Sequence, residues 1–221
     1  MDRVAIAGIL FDWRGTLVVP PTLEDWVCDG LRRVGRGHED RDIEELVDRI
    51  TASNGIDDRM DAPGIDADAS LHRRIFMEVL SDAGIDAPLA DALYASESDY
   101  TRNPFAKDAA STIRALKESG LRIGVVSDIH FDIRPAFVDA GLADMVDGYS
   151  LSFEVGSQKP DAPIFTHALD HLGLEAADVA MVGDRSRPDG GAVELGIVTL
   201  LLPPLRSPYD ERLDAVIKLA L

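Results

Sequence analysis

The stretch 4–17, VAIAGILFDWRGTL, decides how this chain is read. Its first eight residues, 4–11, carry no charge and enough branched and aromatic side chains for a strand buried on both faces. The run stops at Asp12, and Gly15 and Thr16 follow at once. A carboxylate at the carboxyl end of a buried strand, beside a glycine turn, stands where open α/β sheets hold their ligands. An unpaired charge is costly there, so a cation or a substrate is expected beside it. Taken alone, Asp12 would serve equally well as a helix N-cap.

Outward from this strand, Pro20 and Pro21 block a helix, and from Thr22 to Tyr100 helical patterns replace strand-like runs. Thr22 caps a helix with Leu23, Trp26, Val27 and Leu31 at helical spacing. Ile43, Leu46, Val47 and Ile50 mark a second helix, and Leu71, Ile75, Phe76, Val79 and Leu80 a third that ends at Gly84. A fourth is expected over 88–100, and the acidic, Gly- and Pro-containing segment 54–69 reads as a loop. Beyond Pro104 helices and strands alternate: helix 109–119, strand 121–127, helix 132–140, strand 149–155, helix 162–172, strand 179–182, strand 198–202 and a last helix at 212–219. Strands separated by helices of this length predict a doubly wound, Rossmann-like parallel sheet with right-handed crossovers. The expected division is an α/β core of residues 1–19 and 101–221, with a helical cap, 20–100, inserted over Asp12 as a lid.

Composition narrows the function. A net charge of −18 argues against a nucleic-acid partner and against an anionic membrane surface. The first apolar run is too short for a signal peptide or a span, so a cytoplasmic protein is expected. Cys28 is the single cysteine, which excludes an internal disulfide, and its helical surroundings suit a packed core thiol. There are four lysines, Lys107, Lys117, Lys159 and Lys218, and none precedes residue 107.

Three core strands end in polar residues. The first delivers Asp12, the second Ser127 and Asp128, and the fourth Asp184, with Asp189 five positions on. Side by side at one sheet edge, these carboxylates would repel one another unless a hard cation such as Mg²⁺ stood among them. Lys159, in a loop at the same edge, can neutralise both a nucleophilic carboxylate and a phosphate.

The ordered set Asp12 with Gly15–Thr16, Ser127, Lys159, and Asp184 with Asp189 resembles the haloacid dehalogenase superfamily, most of whose members are phosphatases. The helical insert resembles that family's commonest cap. The resemblance implies that Asp12 is a nucleophile forming an aspartyl-phosphate, and that Ser127 and Lys159 bind and stabilise the phosphoryl group, with Thr16 and Asp128 beside the substrate. It further implies Mg²⁺ held by Asp12, the backbone carbonyl of Arg14, Asp184 and Asp189. A small phosphorylated metabolite is the expected partner. A cap that closes the site within one chain favours a monomer, with a homodimer as the alternative.

One position departs from the pattern. Phosphatases of this family carry a second Asp two residues after the nucleophile, as general acid to the leaving alcohol; here that position is Arg14. Arginine keeps its proton, and loss of a positioned acid costs about 10²–10⁴-fold. Alkyl phosphates should then suffer more than acyl or aryl phosphates, unless another group, such as His130, supplies the proton. Arg14 could instead meet a bound anion, or pair with Asp128 or Asp189. Dehalogenating relatives also lack the second Asp but need no metal, so the retained Asp184 and Asp189 count against them. Phosphonate-cleaving relatives share a DWxGT-like motif but need a cap lysine, which is absent here. A binding protein on the same fold is the remaining alternative. His72, Arg73 and Arg74 are the cap residues that could meet an acidic substrate, and Trp13 and Trp26 are candidate pocket walls.

Overall fold

The computed structural model describes residues 6–221. Residues 4 and 5 of the expected first strand lie outside the described residues. Five strands form one parallel sheet: β1 (Gly8–Phe11), β2 (Arg122–Ser127), β3 (Gly148–Leu151), β4 (Val179–Gly183) and β5 (Val198–Leu201), in the order β3-β2-β1-β4-β5. The chain leaves β1 for one side of the sheet and later crosses to the other, so β1 lies at the point where strand order reverses. Phe11 is in register with Val125 of β2 and Val182 of β4. Asp12 then follows Phe11 with its amide still bonded to the Val182 carbonyl, at 2.8 Å.

Alternation along β1 divides the core. Ile9 and Phe11 join an apolar cluster with α5 (Ala109–Glu118), α6 (Arg134–Asp139) and α9 (Asp214–Ala220). Leu10 points to the opposite face and packs against α8 (Ala162–Leu172). Trp13 is fully buried with the first cluster, edge-on to Phe105 and tilted against Phe137. It is a core residue rather than a pocket wall.

Between β1 and α5 lie α1 (Leu23–Arg33), α2 (Asp40–Asn54), α3 (Ala69–Asp82) and α4 (Ala87–Glu97), packed around a separate cluster that includes Trp26, Leu31, Ile50, Phe76, Leu80 and Leu93. Trp26 donates its indole N–H to the Leu93 carbonyl at 2.8 Å, consistent with its place in a core stripe. A Cβ at Gly30 would meet Leu93 at 2.5 Å, so glycine sets the close approach of α1 to α4. Leu23 is half exposed and leaves the buried stripe. Cys28 is partly buried, 3.3 Å from the His38 ring, rather than sealed in the core.

Two segments depart from expectation. The strand expected over 149–155 ends at Leu151, and Ser152–Val155 forms a helical turn, α7, closed by Gly156 with φ +72°. Ser152 redirects the chain: its hydroxyl accepts from the Ile129 amide at 2.8 Å and meets the Asp66 carbonyl at 2.7 Å. The segment read as a loop over 54–69 contains two 3₁₀ turns, Arg59–Asp61 and Ile65–Ala67. The second is anchored by buried Ile65 and docks on α7, joining the helical layer to the sheet edge. No helix among the described residues is long and apolar enough to cross a membrane.

Candidate active site

The carboxyl edge of the sheet gathers the polar strand ends around one buried lysine. Lys159 Nζ donates to Asp12 Oδ1 at 2.5 Å and to Asp189 Oδ1 at 2.7 Å, with all three residues buried. The other Asp189 oxygen accepts from the amides of Asp184 and Arg185, at 3.0 and 2.9 Å. Asp189 is thereby satisfied at both ends and fixes both Lys159 and the turn that presents Asp184. The Lys159 amide donates to Asp128 Oδ1 at 2.8 Å. Asp128 thus positions the lysine loop from the end of β2.

Two glycines let the carboxylates approach. Gly15 has φ +82°, and a Cβ there would lie 2.5 Å from Asp184 Oδ2. A Cβ on Gly183 would collide with the Asp189 carboxyl at 2.2 Å.

Burial raises Asp12 to about 6, with Lys159 opposing the rise and Asp189 adding to it. Asp184 is likewise raised to about 6, by burial and then by Asp12 and Asp189. For Lys159, burial opposes the charge, but Asp12, Asp189 and Asp128 outweigh it and hold the ammonium above the usual lysine range. Burial also opposes the charge on Asp189, yet Lys159 and its hydrogen bonds keep that carboxylate below its ordinary value.

Within the Asp12–Lys159–Asp189 array, Asp12 Oδ2 is buried and has no hydrogen-bond partner among the described residues. Asp12, Asp184 and Asp189 each offer a carboxylate oxygen within 4.8 Å of the others. Three carboxylates share one ammonium, so the residues present fit a hard divalent cation.

Asp12, Ser127, Asp128 and Asp184 line a cavity of about 280 Å³, while Lys159 borders an adjoining one. The opposite wall comes from the helical layer, through Asp66, His72 and Phe76. Thr16 is fully buried and does not line the cavity; its hydroxyl faces Asp184 Oδ1 at 3.5 Å.

Arg14 meets neither Asp128 nor Asp189. Its Nε donates to Asn103 Oδ1 at 2.9 Å, and its remaining nitrogens hold the Glu97 carboxylate and, at 3.1 Å, the Glu97 carbonyl. The guanidinium also lies 5.6 Å from the centre of the Phe131 ring. A side chain occupied on every nitrogen is a clamp between the β1 loop and the end of α4.

His130 does not reach the cavity as a proton donor. It is buried, bonded through Nε2 to Ser98 Oγ at 2.9 Å, and pushed down to about 4 chiefly by burial, so it is neutral near pH 7. Arg73 pairs with Asp91 and lies over Tyr94, and Arg74 pairs with Glu78, both on the solvent side; only His72 of that trio faces the cavity.

Four contributors were missed in the sequence. Arg185 lines the cavity between Asp61 and Asp128, at 3.6 and 3.5 Å. Arg212 pins the β1 loop through the Thr16 carbonyl at 2.8 Å. Asp66 and Glu97 complete the wall from the helical layer. Only Arg185 carried a signal, adjacency to Asp184; the others depend on contacts across much of the chain.

The profile of the haloacid dehalogenase-like hydrolase family matches residues 6–193. Among curated relatives, a ribulose-1,5-bisphosphate 5-phosphatase of Halopiger xanaduensis is 35% identical over 99 residues, 44% of this chain and 41% of that protein. A phosphoserine phosphatase of Thermus thermophilus is 32% identical over 141 residues, 59% of this chain and 55% of that protein. The chain thus spans about half the length of these relatives. Among solved structures, the L-2-haloacid dehalogenase from Xanthobacter autotrophicus shares the fold at TM-score 0.60 and 24% identity, over 89% of this chain and 77% of that one. A HAD phosphatase from Thermococcus onnurineus does so at TM-score 0.59 and 21% identity, over 89% and 86%. With the profile spanning most of the sequence and the same fold in both structures, the chain belongs to the haloacid dehalogenase-like hydrolases.

Proposed function

We propose that this hydrolase is a Mg²⁺-dependent phosphatase of small phosphorylated metabolites, with Asp12 as nucleophile. The observation that carries the reading is the buried Asp12–Lys159–Asp189 array beside Asp184, with one Asp12 oxygen left unpartnered. Phosphoryl transfer asks for in-line placement and for stabilisation of spread negative charge. Asp12 attacks phosphorus through a carboxylate oxygen, the bond to the leaving oxygen breaks, and water then attacks phosphorus to release inorganic phosphate and restore Asp12. Lys159 keeps its charge throughout and orients Asp12. Ser127 lines the cavity, and in this reading its hydroxyl donates to a phosphoryl oxygen.

Asp12, the Arg14 backbone carbonyl and Asp184 would hold Mg²⁺, with Asp189 supporting Asp184 through the turn amides. When bound, the ion supplies charge to offset that of the phosphoryl group and of the crowded carboxylates. The named phosphatase activities of the two curated relatives support a phosphorylated substrate. The carboxylates favour this chemistry over metal-independent dehalogenation, because without a cation Asp184 would only repel the ionised nucleophile.

The test is release of phosphate from acetyl phosphate and para-nitrophenyl phosphate, with Mg²⁺ or with EDTA, beside release of chloride from 2-chloropropionate. The reading expects phosphate only, and only with the metal. Metal-independent chloride release without phosphate release would overturn it.

A further inference from the structure

The helical layer lines the cavity with Asp66 and His72, and with His130 behind them they form a group of titratable residues to which the site as described gives no task. Asp66, on the 3₁₀ turn Ile65–Ala67, has Oδ1 at 3.7 Å from His72 Nε2 and 3.8 Å from His130 Nδ1. The two imidazoles stack face to face, with centroids 3.4 Å apart and planes 13° from parallel. A single metal ion must lie near the plane of each ring that binds it, and rings stacked this closely cannot both satisfy that. One ion therefore cannot take both rings together with the Asp66 carboxylate.

Resting on the phosphatase reading, we propose that Asp66 is the general acid that protonates the leaving group, from the helical layer, in place of the acid that Arg14 displaces. In-line displacement places the leaving oxygen on the side of phosphorus away from Asp12. Asp66, His72 and Glu97 of the helical layer line the same cavity as Asp12, and in this proposal the leaving oxygen is set toward them. Glu97 is engaged through its carboxylate and its carbonyl by the Arg14 guanidinium, so it is tied up in that clamp. His72, pushed down to about 3 by burial and then by His130, is neutral and has no imidazolium proton to give. Asp61 lies mostly in solvent beside Arg185. Asp66 is left: its side chain is 17% exposed, enough to reach the cavity while staying largely out of water.

Its surroundings suit the role. Burial raises the Asp66 carboxyl above its ordinary value; His72, Arg14, Arg185 and Lys159 oppose the rise. Asp61 and Asp128 face it as like charges, and His130 as a neutral ring. Its backbone, not its carboxyl, docks the turn: the Asp66 amide donates to Gln158 Oε1 at 3.2 Å and its carbonyl meets Ser152 Oγ at 2.7 Å. The acid is thus tied to the segment that carries Lys159, and its side chain can be changed without cutting the tie.

The proton balance closes. As the bond from phosphorus to the leaving oxygen breaks, its electron pair stays on that oxygen, which takes the Asp66 proton and departs as the alcohol. The Asp66 carboxylate then takes a proton from the water that attacks phosphorus, and both residues return to their starting states.

The experiment compares wild type, Asp66→Asn and Asp66→Glu on an alkyl phosphate, glycerol 3-phosphate, and on para-nitrophenyl phosphate, whose leaving group needs no proton. Asp66→Asn should lose about 10²–10³-fold in kcat on the alkyl ester and no more than about threefold on the aryl ester. Asp66→Glu should recover part of the alkyl rate, and the alkaline fall in the wild-type alkyl pH profile should vanish in Asp66→Asn. Ser152→Ala, which loosens the docked turn that carries the carboxyl, should lose more on the alkyl ester than on the aryl ester. Equal loss on both esters in Asp66→Asn, or no loss on either, would overturn the assignment while leaving the phosphatase reading intact. Absence of turnover of the aryl ester by wild type would instead overturn the phosphatase reading, and this inference with it.

Discussion

Lys159 is the residue on which the site's electrostatics turn. It is fully buried between Asp12 and Asp189, and removing one partner of a buried ion pair leaves charge with no compensation. Lys159→Met should cost about 3–5 kcal/mol of unfolding free energy by urea titration at pH 8. The loss should shrink toward pH 5: Asp12 is already raised, and without the lysine it rises further, so the folded state takes up protons that the unfolded state does not. A variant as stable as wild type at pH 8 would contradict the arrangement. At this scale Asp12, Ser127 and Asp184 were legible because each stands at the end of an apolar run. Asp189 was legible by its spacing from Asp184, and Lys159 as one of four lysines in an acidic chain, in a loop at the same edge. Asp66, Glu97 and Arg212 were not legible. Their neighbours in sequence are ordinary surface or capping patterns, and their partners lie up to 197 positions away.

Among the elements, the five strands and their parallel order followed from alternation and from helices of crossover length, and the structure has them in place. The third strand was read too long because 149–155 keeps a strand-like composition through Phe153 and Val155. Only the Ser152 hydroxyl, bonded to Ile129 and Asp66, turns it out of the sheet. Arg14 shows the same limit in the candidate site. Its departure from the family pattern was visible, but its partners were not, because Glu97 and Asn103 meet it only once α4 returns to the core. The clamp makes a definite expectation. Arg14→Ala leaves a mostly buried Glu97 carboxylate unpaired and should cost on the order of 1–3 kcal/mol. A double-mutant cycle with Glu97→Gln should return a coupling of about 1–2 kcal/mol by urea unfolding. Strict additivity would show that the two do not act as a clamp.

Across the whole molecule, the stacked histidines join the helical layer to the core, since His72 lies on α3 and His130 follows β2. Burial holds them at about 3 and about 4, well below the value near 6.5 of an unfolded chain. As pH falls below 6.5 the unfolded chain gains protons that the folded one refuses, so each histidine withdraws stability, on the order of 1–2 kcal/mol by pH 5. Asp12 and Asp184, both raised to about 6, act in the opposite sense, because the folded state then binds more protons. The wild-type profile is the balance of the two. Removing one histidine should tilt it: between pH 7 and pH 5, His130→Gln should lose about 1–2 kcal/mol less stability than wild type. Parallel pH profiles of the two proteins would contradict the neutral, buried assignment.

The central claim is that Asp12 is the group that accepts the phosphoryl group. It is tested most directly by phosphate release from para-nitrophenyl phosphate at pH 7 with Mg²⁺, for wild type and Asp12→Asn, with circular dichroism confirming that both are folded. The account predicts turnover by wild type and a loss on the order of 10³-fold or more in Asp12→Asn, because an amide in the same place is not a competent nucleophile. Folded Asp12→Asn that turns over within tenfold of wild type would contradict it.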